Sequence, residues 1–404
     1  MKMKIYYAWI ASALILGSGC KKSLNSSVDL TNGAKAGFAT NALWQHPTLT
    51  GRVIRFDIGD GNGSDCLFTY DIGSGLVSLT KVNGTTSTTI YSGSGIPTAN
   101  STPFDVRQGS ACTDYYNEVG GVHIIPYDAN GTGHEDHLLI YIPGTGYAEV
   151  LSYLGNGSWY ETYQSGSGIG GYNLTSTSDK IITYDYGSGF KNALICYRPG
   201  YGNIWVLEQT GNNSIPAFTP VVEGSGGIAG YDLKGPTDQL VAIGGNAGYM
   251  NLVAYRPSLG FVWYLSHNAN STVFNDVYNS RSGLFNFNFA DKQDRLIAWN
   301  DNGNPTEVGD NSMYCYRPFP QGYPTVDDAE SQGTISGGAP DPGLNYTFPN
   351  NPYGSSPSYI GDHVLAFSPN GQGNSSVLFY SNGGTNQSQI YEFNTQTSNY
   401  TQVY

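Results

Sequence analysis

Tyr172-Asn-Leu174, then Asp179-Lys-Ile-Ile-Thr-Tyr-Asp185, then Leu194-Ile-Cys-Tyr-Arg-Pro-Gly-Tyr-Gly-Asn-Ile-Trp205 is the stretch that decides the fold, because each of its parts recurs along the chain. The first part is a polar or basic residue, two aliphatics, a variable residue and usually an aromatic. It appears as Arg52-Val-Ile-Arg-Phe56, His123-Ile-Ile-Pro-Tyr127, Lys180-Ile-Ile-Thr-Tyr184, Gln239-Leu-Val-Ala-Ile243, Arg295-Leu-Ile-Ala-Trp299 and His363-Val-Leu-Ala-Phe367, at intervals of 71, 57, 59, 56 and 68 residues. Aspartate precedes it at Asp179, Asp238, Asp294 and Asp362. A second apolar run ends at Tyr70, Tyr141, Tyr197, Tyr255, Tyr316 and Tyr380, and three of these lead into Arg198-Pro199, Arg256-Pro257 and Arg317-Pro318. A third run carries Trp205 or Trp263, a fourth begins at Phe218 or Phe274, and Gly-rich crossings such as Gly227-Ile-Ala-Gly-Tyr-Asp-Leu233 lead onward.

Four short strands in a repeating unit of this length predict a radial array of small sheets. A lone four-stranded sheet cannot cover both faces, whereas stacked neighbours can, and a closed ring protects the edges. The expectation is an all-β, six-bladed β-propeller of four-stranded antiparallel blades over residues 44–404. The first strand of each unit is expected at the axis. The last unit, 363–404, has room for all four of its strands, so closure is expected without strand exchange. Insertions fall at 86–121 and 318–361. Two tandem β-sandwiches are the competing architecture, and a single repeating register across the chain argues against them.

Composition agrees. The 404 residues include 54 glycines and 32 tyrosines; 13% are aromatic and 12% charged. Few charges with many aromatics exclude a disordered chain, and the scarcity of strong helix formers disfavours a helical one. The formal charge is 18 − 31 = −13, which leaves no basic stripe for nucleic acid.

The unit with its Tyr-Arg-Pro-Gly and Ile-Trp resembles the FG-GAP/VCBS propeller repeats of secreted bacterial and fungal proteins, most closely over 160–300. The resemblance implies a propeller and an adhesive or ligand-binding role. It also implies calcium at Asp-rich turns with oxygens at alternate positions. Asp128, Asn130, Thr132 and Asp136, with the His134 carbonyl, match that spacing in the second blade; glycines permit the tight turn. The same residues also suit a turn that holds no metal.

The N-terminus reads as an address. Met1 to Lys4 is basic, and Ile5 to Leu16 is apolar but too short to span a bilayer. Gly17-Ser-Gly19 leads to Cys20, the expected lipidation site of a bacterial lipoprotein. Residues 1–19 are then a signal peptide, 20–43 a flexible tether, and the protein a lipid-anchored resident of the bacterial cell envelope.

Arg198 and Trp205, like Arg256 and Trp263, are expected to face one another across hairpins centred at 201.5 and 259.5. Together with Arg317 they are candidate ligand-binding residues: indole stacks a sugar ring and guanidinium binds its hydroxyls. A structural cation–π pair is the plainer reading. Cys196 and Cys315 repeat one position and are expected buried; Cys66 and Cys112 could pair. No nucleophile, metal-hydrolase or phosphate-loop signature is present, and the repeating aspartates are expected to bond backbone N–H groups. Asp327, Asp328 and Glu330 form the carboxylate cluster outside the repeat. The functional expectation is a non-catalytic carbohydrate- or polymer-binding module. The alternatives are a protein–protein scaffold and, more remotely, a glycan-active enzyme.

Overall fold

The structure is a computed structural model. It describes residues 51–60, 65–83, 86–109, 121–131, 134–185, 187, 193–211, 216–244, 249–268, 271–284, 287–299, 312–317, 330–336, 339–340, 362–367, 376–381, 389–394 and 399–402. The signal and tether with Cys20, and also Cys112, Thr132, Asp327 and Asp328, lie outside the described residues.

The alternating patterns form strands where the sequence places them. The first sheet holds β1 (Gly51–Asp57), β2 (Asp65–Asp71), β3 (Leu76–Asn83) and β4 (Thr86–Ser94). The second holds β5 (His123–Tyr127), β6 (His137–Ile142), β7 (Tyr147–Gly155) and β8 (Ser158–Ser165). The third holds β9 (Lys180–Tyr184), β10 (Ala193–Arg198), β11 (Asn203–Gln209) and β12 (Phe218–Gly224), and the fourth β13 (Gln239–Gly244), β14 (Met250–Arg256), β15 (Phe261–Ser266) and β16 (Asn275–Ser280). Then come β17 (Arg295–Trp299), β18 (Ser312–Tyr316), β19 (Glu330–Ser336) and β20 (Ala339–Pro340), followed by β21 (Asp362–Phe367), β22 (Ser376–Ser381), β23 (Gln389–Asn394) and β24 (Asn399–Gln402).

Each sheet is four consecutive strands in chain order, paired antiparallel, and the described strands fall into six such sheets. Four are described through most of their side chains, the last two mainly through their backbone. The first strands neighbour one another in turn, from β1 beside β5 through to β17 beside β21, and β21 lies beside β1. The chain is therefore an all-β propeller of four-stranded antiparallel blades. Where the last sheet meets the first, Val53, Leu67 and Val82 share an apolar cluster with Phe367 and Leu378.

The second strand is the most deeply covered: all six residues of β6 are buried. The first strand alternates, as in β9 with Ile181 and Tyr184 buried and Lys180, Ile182 and Thr183 half-buried. One face of it is turned to the axis, so the strand nearest the hub is not the most enclosed.

The recurrent tyrosine at or next to the end of each second strand has a structural reason. Its hydroxyl accepts the N–H of the second residue of the next blade's first strand: Tyr70 from Ile124 (3.4 Å), Tyr141 from Ile181 (3.2 Å), Tyr197 from Leu240 (3.1 Å) and Tyr255 from Leu296 (3.2 Å). A first strand's open edge would otherwise leave buried N–H groups unpaired, at about 1–3 kcal/mol each.

The crossings are equally repetitive. At Gly227, φ is +82°, and a Cβ there would lie 1.8 Å from the Tyr231 carbonyl oxygen, which excludes a side chain. Two residues beyond Tyr231, Leu233 adopts φ 49°, and its carbonyl accepts both Gly200 N–H (3.0 Å) and Gly202 N–H (3.1 Å) from the preceding blade's hairpin. A left-handed leucine costs about 1 kcal/mol or more, offset here by two hydrogen bonds that dock crossing on turn.

The stretch at 86–121 divides in two. Residues 86–94 are the first blade's own outer strand, β4, rather than an addition to it. The chain then runs along the outer strand of the second blade: Ala99 N–H donates to the Trp159 carbonyl (2.7 Å), Trp159 N–H to the Pro97 carbonyl (3.0 Å), and Ile96, Phe104 and Val106 are buried. Strands β19 and β20 fall within 318–361. Among the described residues no helix is long and apolar enough to cross a membrane.

Candidate functional site

At the hub, the starts of β1, β5, β9 and β13 surround a cavity of about 280 Å3. β1 contributes its second residue, Arg52, and the others their opening residues, His123, Lys180 and Gln239, all half-buried. Ile54, Ile125 and Ile182, two positions further along, line the same cavity, as the strand period of two requires. The wall is therefore a ring of hydrogen-bonding groups above a ring of aliphatic ones. Lys180 Nζ donates to Gln239 Oε1 (2.8 Å) and Arg52 Nη1 to the Gly51 carbonyl (3.0 Å), while the His123 ring stacks on Tyr141 with centroids 4.9 Å apart. In the fifth blade Arg295 opens β17 and donates to the carbonyls of Gln293 and Asp294. The sequence showed these residues as the polar start of a repeat; their convergence needed the ring.

The carboxylates that precede three of these strands serve the corner instead. Asp179 accepts Arg198 Nε (2.7 Å) and Nη2 (2.9 Å), the Ser176 N–H (2.8 Å) and the Tyr172 hydroxyl (2.7 Å). Asp238 accepts Arg256 Nε (2.6 Å) and Nη2 (2.9 Å), the Gly235 N–H and the Tyr231 hydroxyl (2.8 Å). Asp294 accepts Arg317 Nε (2.5 Å) and Nη2 (2.8 Å) and the Asp291 N–H. The expected backbone bonds are present at these three, and the bidentate guanidinium fork is an addition the spacing did not reveal. Each fork also lies over an aromatic ring, Tyr172 at 5.9 Å, Tyr231 at 5.6 Å and Phe287 at 5.5 Å.

The hairpin pairs require correction. Arg198 opposes Asn203 and Trp205 opposes Cys196; Arg256 opposes Phe261 and Trp263 opposes Ala254. The turns are centred one residue earlier than expected. A register displaced by two keeps Arg198 and Trp205 on one face, as diagonal rather than direct neighbours. The indoles lie against their own crossings: Tyr172 meets Trp205 edge-on at 5.8 Å, Tyr231 meets Trp263 likewise, and a Cβ on Gly171 or Gly230 would stand 3.2 or 3.1 Å from the ring.

The calcium-like turn is tied to the first blade. Asp128 Oδ1 accepts the Asn130 N–H (3.1 Å), Asp136 Oδ1 bonds His137 Nδ1 (2.5 Å), and Asn130 Nδ2 reaches Asp136 Oδ2 at 3.5 Å. His134 Nδ1 bonds Asp57 Oδ2 at 2.6 Å, and that contact raises the imidazole above its usual pKa. Asn130 Oδ1 is buried without a donor, and Thr132, the remaining side chain of the expected set, lies outside the described residues. Among the described residues no cluster of three His, Cys, Asp or Glu could hold a metal.

Cys66, Cys196 and Cys315 are buried free thiols, and burial pushes Cys66 up to about 12. Of the carboxylate cluster outside the repeat, Glu330 opens β19. Among the buried carboxylates that the sequence reading passed over, Glu149 on β7, 2% exposed, accepts the Tyr147 hydroxyl at 2.7 Å. Burial, with Glu161 nearby, lifts it to about 7.

No protein-family model matches the chain, and no curated protein matches it. Among solved structures it is similar to an Agrocybe aegerita lectin that recognises non-reducing terminal N-acetylglucosamine (12% identity, 88% of this chain and 80% of that one, TM-score 0.48). It is also similar to a protein from Lactobacillus plantarum (12%, 83% and 80%, TM-score 0.44) and to the periplasmic gluconolactonase of Pseudomonas aeruginosa (11%, 89% and 70%, TM-score 0.32). At these values the likenesses carry no argument about function, and the fold rests on the strand pairing itself.

Proposed function

We propose that the chain is a six-bladed propeller, lipid-anchored through Cys20 in the bacterial cell envelope, that binds carbohydrate or a similar extracellular polymer without turning it over. The observation that supports this reading is the hub mouth. Arg52, His123, Lys180 and Gln239 set hydrogen-bonding groups around aliphatic walls, which is the pairing a sugar ring presents with its hydroxyl edges and C–H faces. The Arg–Asp corners and their tryptophans hold the scaffold.

A protein–protein scaffold is the second reading. Leu76, Tyr201 and Leu259 are at least half exposed (50%, 65% and 55%); Tyr201 and Leu259 stand on the turns between second and third strands, and Leu76 opens β3 just after the corresponding turn.

A glycan array probed with the intact chain separates the two. The expected outcome is signal without turnover, weakened by Lys180→Gln. Trp263→Ala should lower the melting temperature and leave binding intact. Absence of signal from every glycan would sink the carbohydrate reading; loss of binding in folded Trp263→Ala would return the site to the hairpins.

A further inference from the structure

Independently of the hub, we propose that β16, the outer strand of the fourth blade, is a docking edge that takes an extended, uncharged or basic segment of a partner protein as a fifth strand. The second blade shows the form such an occupant takes. Residues 97–100 run along β8 in parallel through Thr98 and Trp159. The Trp159 N–H donates to the Pro97 carbonyl (3.0 Å), and its carbonyl accepts the Ala99 N–H (2.7 Å). One step on, a side chain continues the ladder: the Glu161 N–H donates to Asn100 Oδ1 (2.9 Å), and Asn100 Nδ2 donates to the Glu161 carbonyl (3.1 Å). Trp159 and Glu161 thus turn their main-chain groups outward, and the chain itself covers them.

The repeat carries that geometry to the other blades. Leu151 pairs with Glu161, Leu207 with Pro220 and Leu265 with Asp276, and in all three sheets the register slips just before the leucine. Pro220 and Asp276 therefore stand where Glu161 stands. Proline has no N–H to give, so β12 is closed to an added strand. The first blade's β4 is met by the β7–β8 turn, where a Cβ on Gly157 would stand 2.5 Å from Tyr91 Cβ and 3.4 Å from the Ile90 carbonyl oxygen. β16 has none of these devices. By the shared register the N–H and C=O of Asp276 face out, and nothing among the described residues pairs with them. Its neighbour in the next blade, β20, pairs with β19 instead. Val273 and Val277, on either side, are exposed. Folded chains ordinarily protect such an edge, and main-chain pairing along one is how an extended peptide is captured.

Charge decides the class of occupant. Asp276 is exposed and its carboxylate accepts Asn279 Nδ2 (2.6 Å). The whole chain carries 18 − 31 = −13. A second copy would bring like charge to the edge, whereas a neutral or basic segment would not.

The probe is a labelled, uncharged peptide with the sequence of the chain's own cover, Ile96-Pro-Thr-Ala-Asn-Ser-Thr-Pro-Phe104, titrated against the intact chain by fluorescence anisotropy. One saturable site is expected. Asp276→Pro, which copies the third blade, should weaken binding at least about tenfold, and so should Asn100→Leu in the peptide, since each removes one or two main-chain hydrogen bonds. Peptide should slow hydrogen exchange at 274–280 and leave 218–224 unchanged. If circular dichroism shows that Asp276→Pro does not fold, the altered peptide and the exchange map decide. No binding to the intact chain, equal binding by folded Asp276→Pro, or new protection outside 274–280 would overturn the proposal. A parent that dimerises in sedimentation while Asp276→Pro stays monomeric would give the edge to a second copy and overturn the assignment of a partner.

Discussion

The corner that leads into the second blade and the corner that leads into the third do the same job with opposite chemistry. Val122 and Ile142 flank the registered pair His123–Tyr141, and both are buried in one apolar cluster. Asp179 and Arg198 flank the equivalent pair Lys180–Tyr197 and form a buried fork. The fourth and fifth blades repeat the ionic version with Asp238–Arg256 and Asp294–Arg317. Within one chain the fold accepts either solution, so the ion pair is not what makes the corner possible. Desolvating two charges costs about as much as their attraction returns, whereas stranding one of them costs far more.

That asymmetry gives the largest expected effect. Arg198→Ile leaves Asp179 buried with the Tyr172 hydroxyl and Ser176 N–H but no cation, and should cost about 3–5 kcal/mol in denaturant unfolding. The double change Asp179→Val with Arg198→Ile copies the second blade and should return to within about 1–2 kcal/mol of the parent. A double variant as unstable as the single one would break the comparison, because the two corners would then not be interchangeable.

How far the sequence revealed this differs from part to part. The strand order was legible because each apolar run is short and bounded by glycine, asparagine or proline, and the same run recurs in every unit. The hairpin register was not: the loop Pro199-Gly-Tyr-Gly202 can be centred on more than one bond. Gly200 and Gly202, both at positive φ and both bonded to the Leu233 carbonyl, settle it from a crossing more than thirty residues away. The aspartates were legible as structural because they repeat, but their arginine partners were assigned to tryptophan, since the spacing within one hairpin was visible and the crossing folded back on it was not. The hub mouth was legible as six polar positions, Arg52 to His363, and became a site when four of them proved to share a cavity.

The second blade holds its own buried carboxylate in a third way, without the fork. Glu149 accepts a phenol hydroxyl from Tyr147, and burial raises it to about 7 from an ordinary 4.5. The folded state therefore holds the proton more tightly than the unfolded one. This contribution is complete below about pH 4.5 and is lost as pH rises through about 7, by at most about 3 kcal/mol. Glu149→Gln should match the parent in acid, be more stable by up to that amount at alkaline pH, and flatten the pH profile between. A parent profile already flat across that window would show that a phenol partner suffices for a buried carboxylate, which would sharpen the contrast with Asp179.

The smallest effect lies within the ionic corners themselves. Asp179 and Asp238 receive the hydroxyls of Tyr172 and Tyr231, but the fifth blade has Phe287 at that position, in the same bridge geometry with Leu284. Asp294 keeps its Arg317 fork, and burial holds its carboxyl above the usual range. Phe287→Tyr would place a donor where the other two corners have one. A hydrogen bond to a charged group is worth about 1.5–3 kcal/mol at best, and the ring is already packed against Phe289, so a gain of about 1 kcal/mol is expected. Because the new donor favours the ionised carboxylate, the gain should be present at neutral pH and fade as Asp294 is protonated in acid. Equal gain at both pH values would assign it to packing alone. A loss would mean that the fifth blade's corner is shaped for phenylalanine, and that the three ionic corners are not copies of one another.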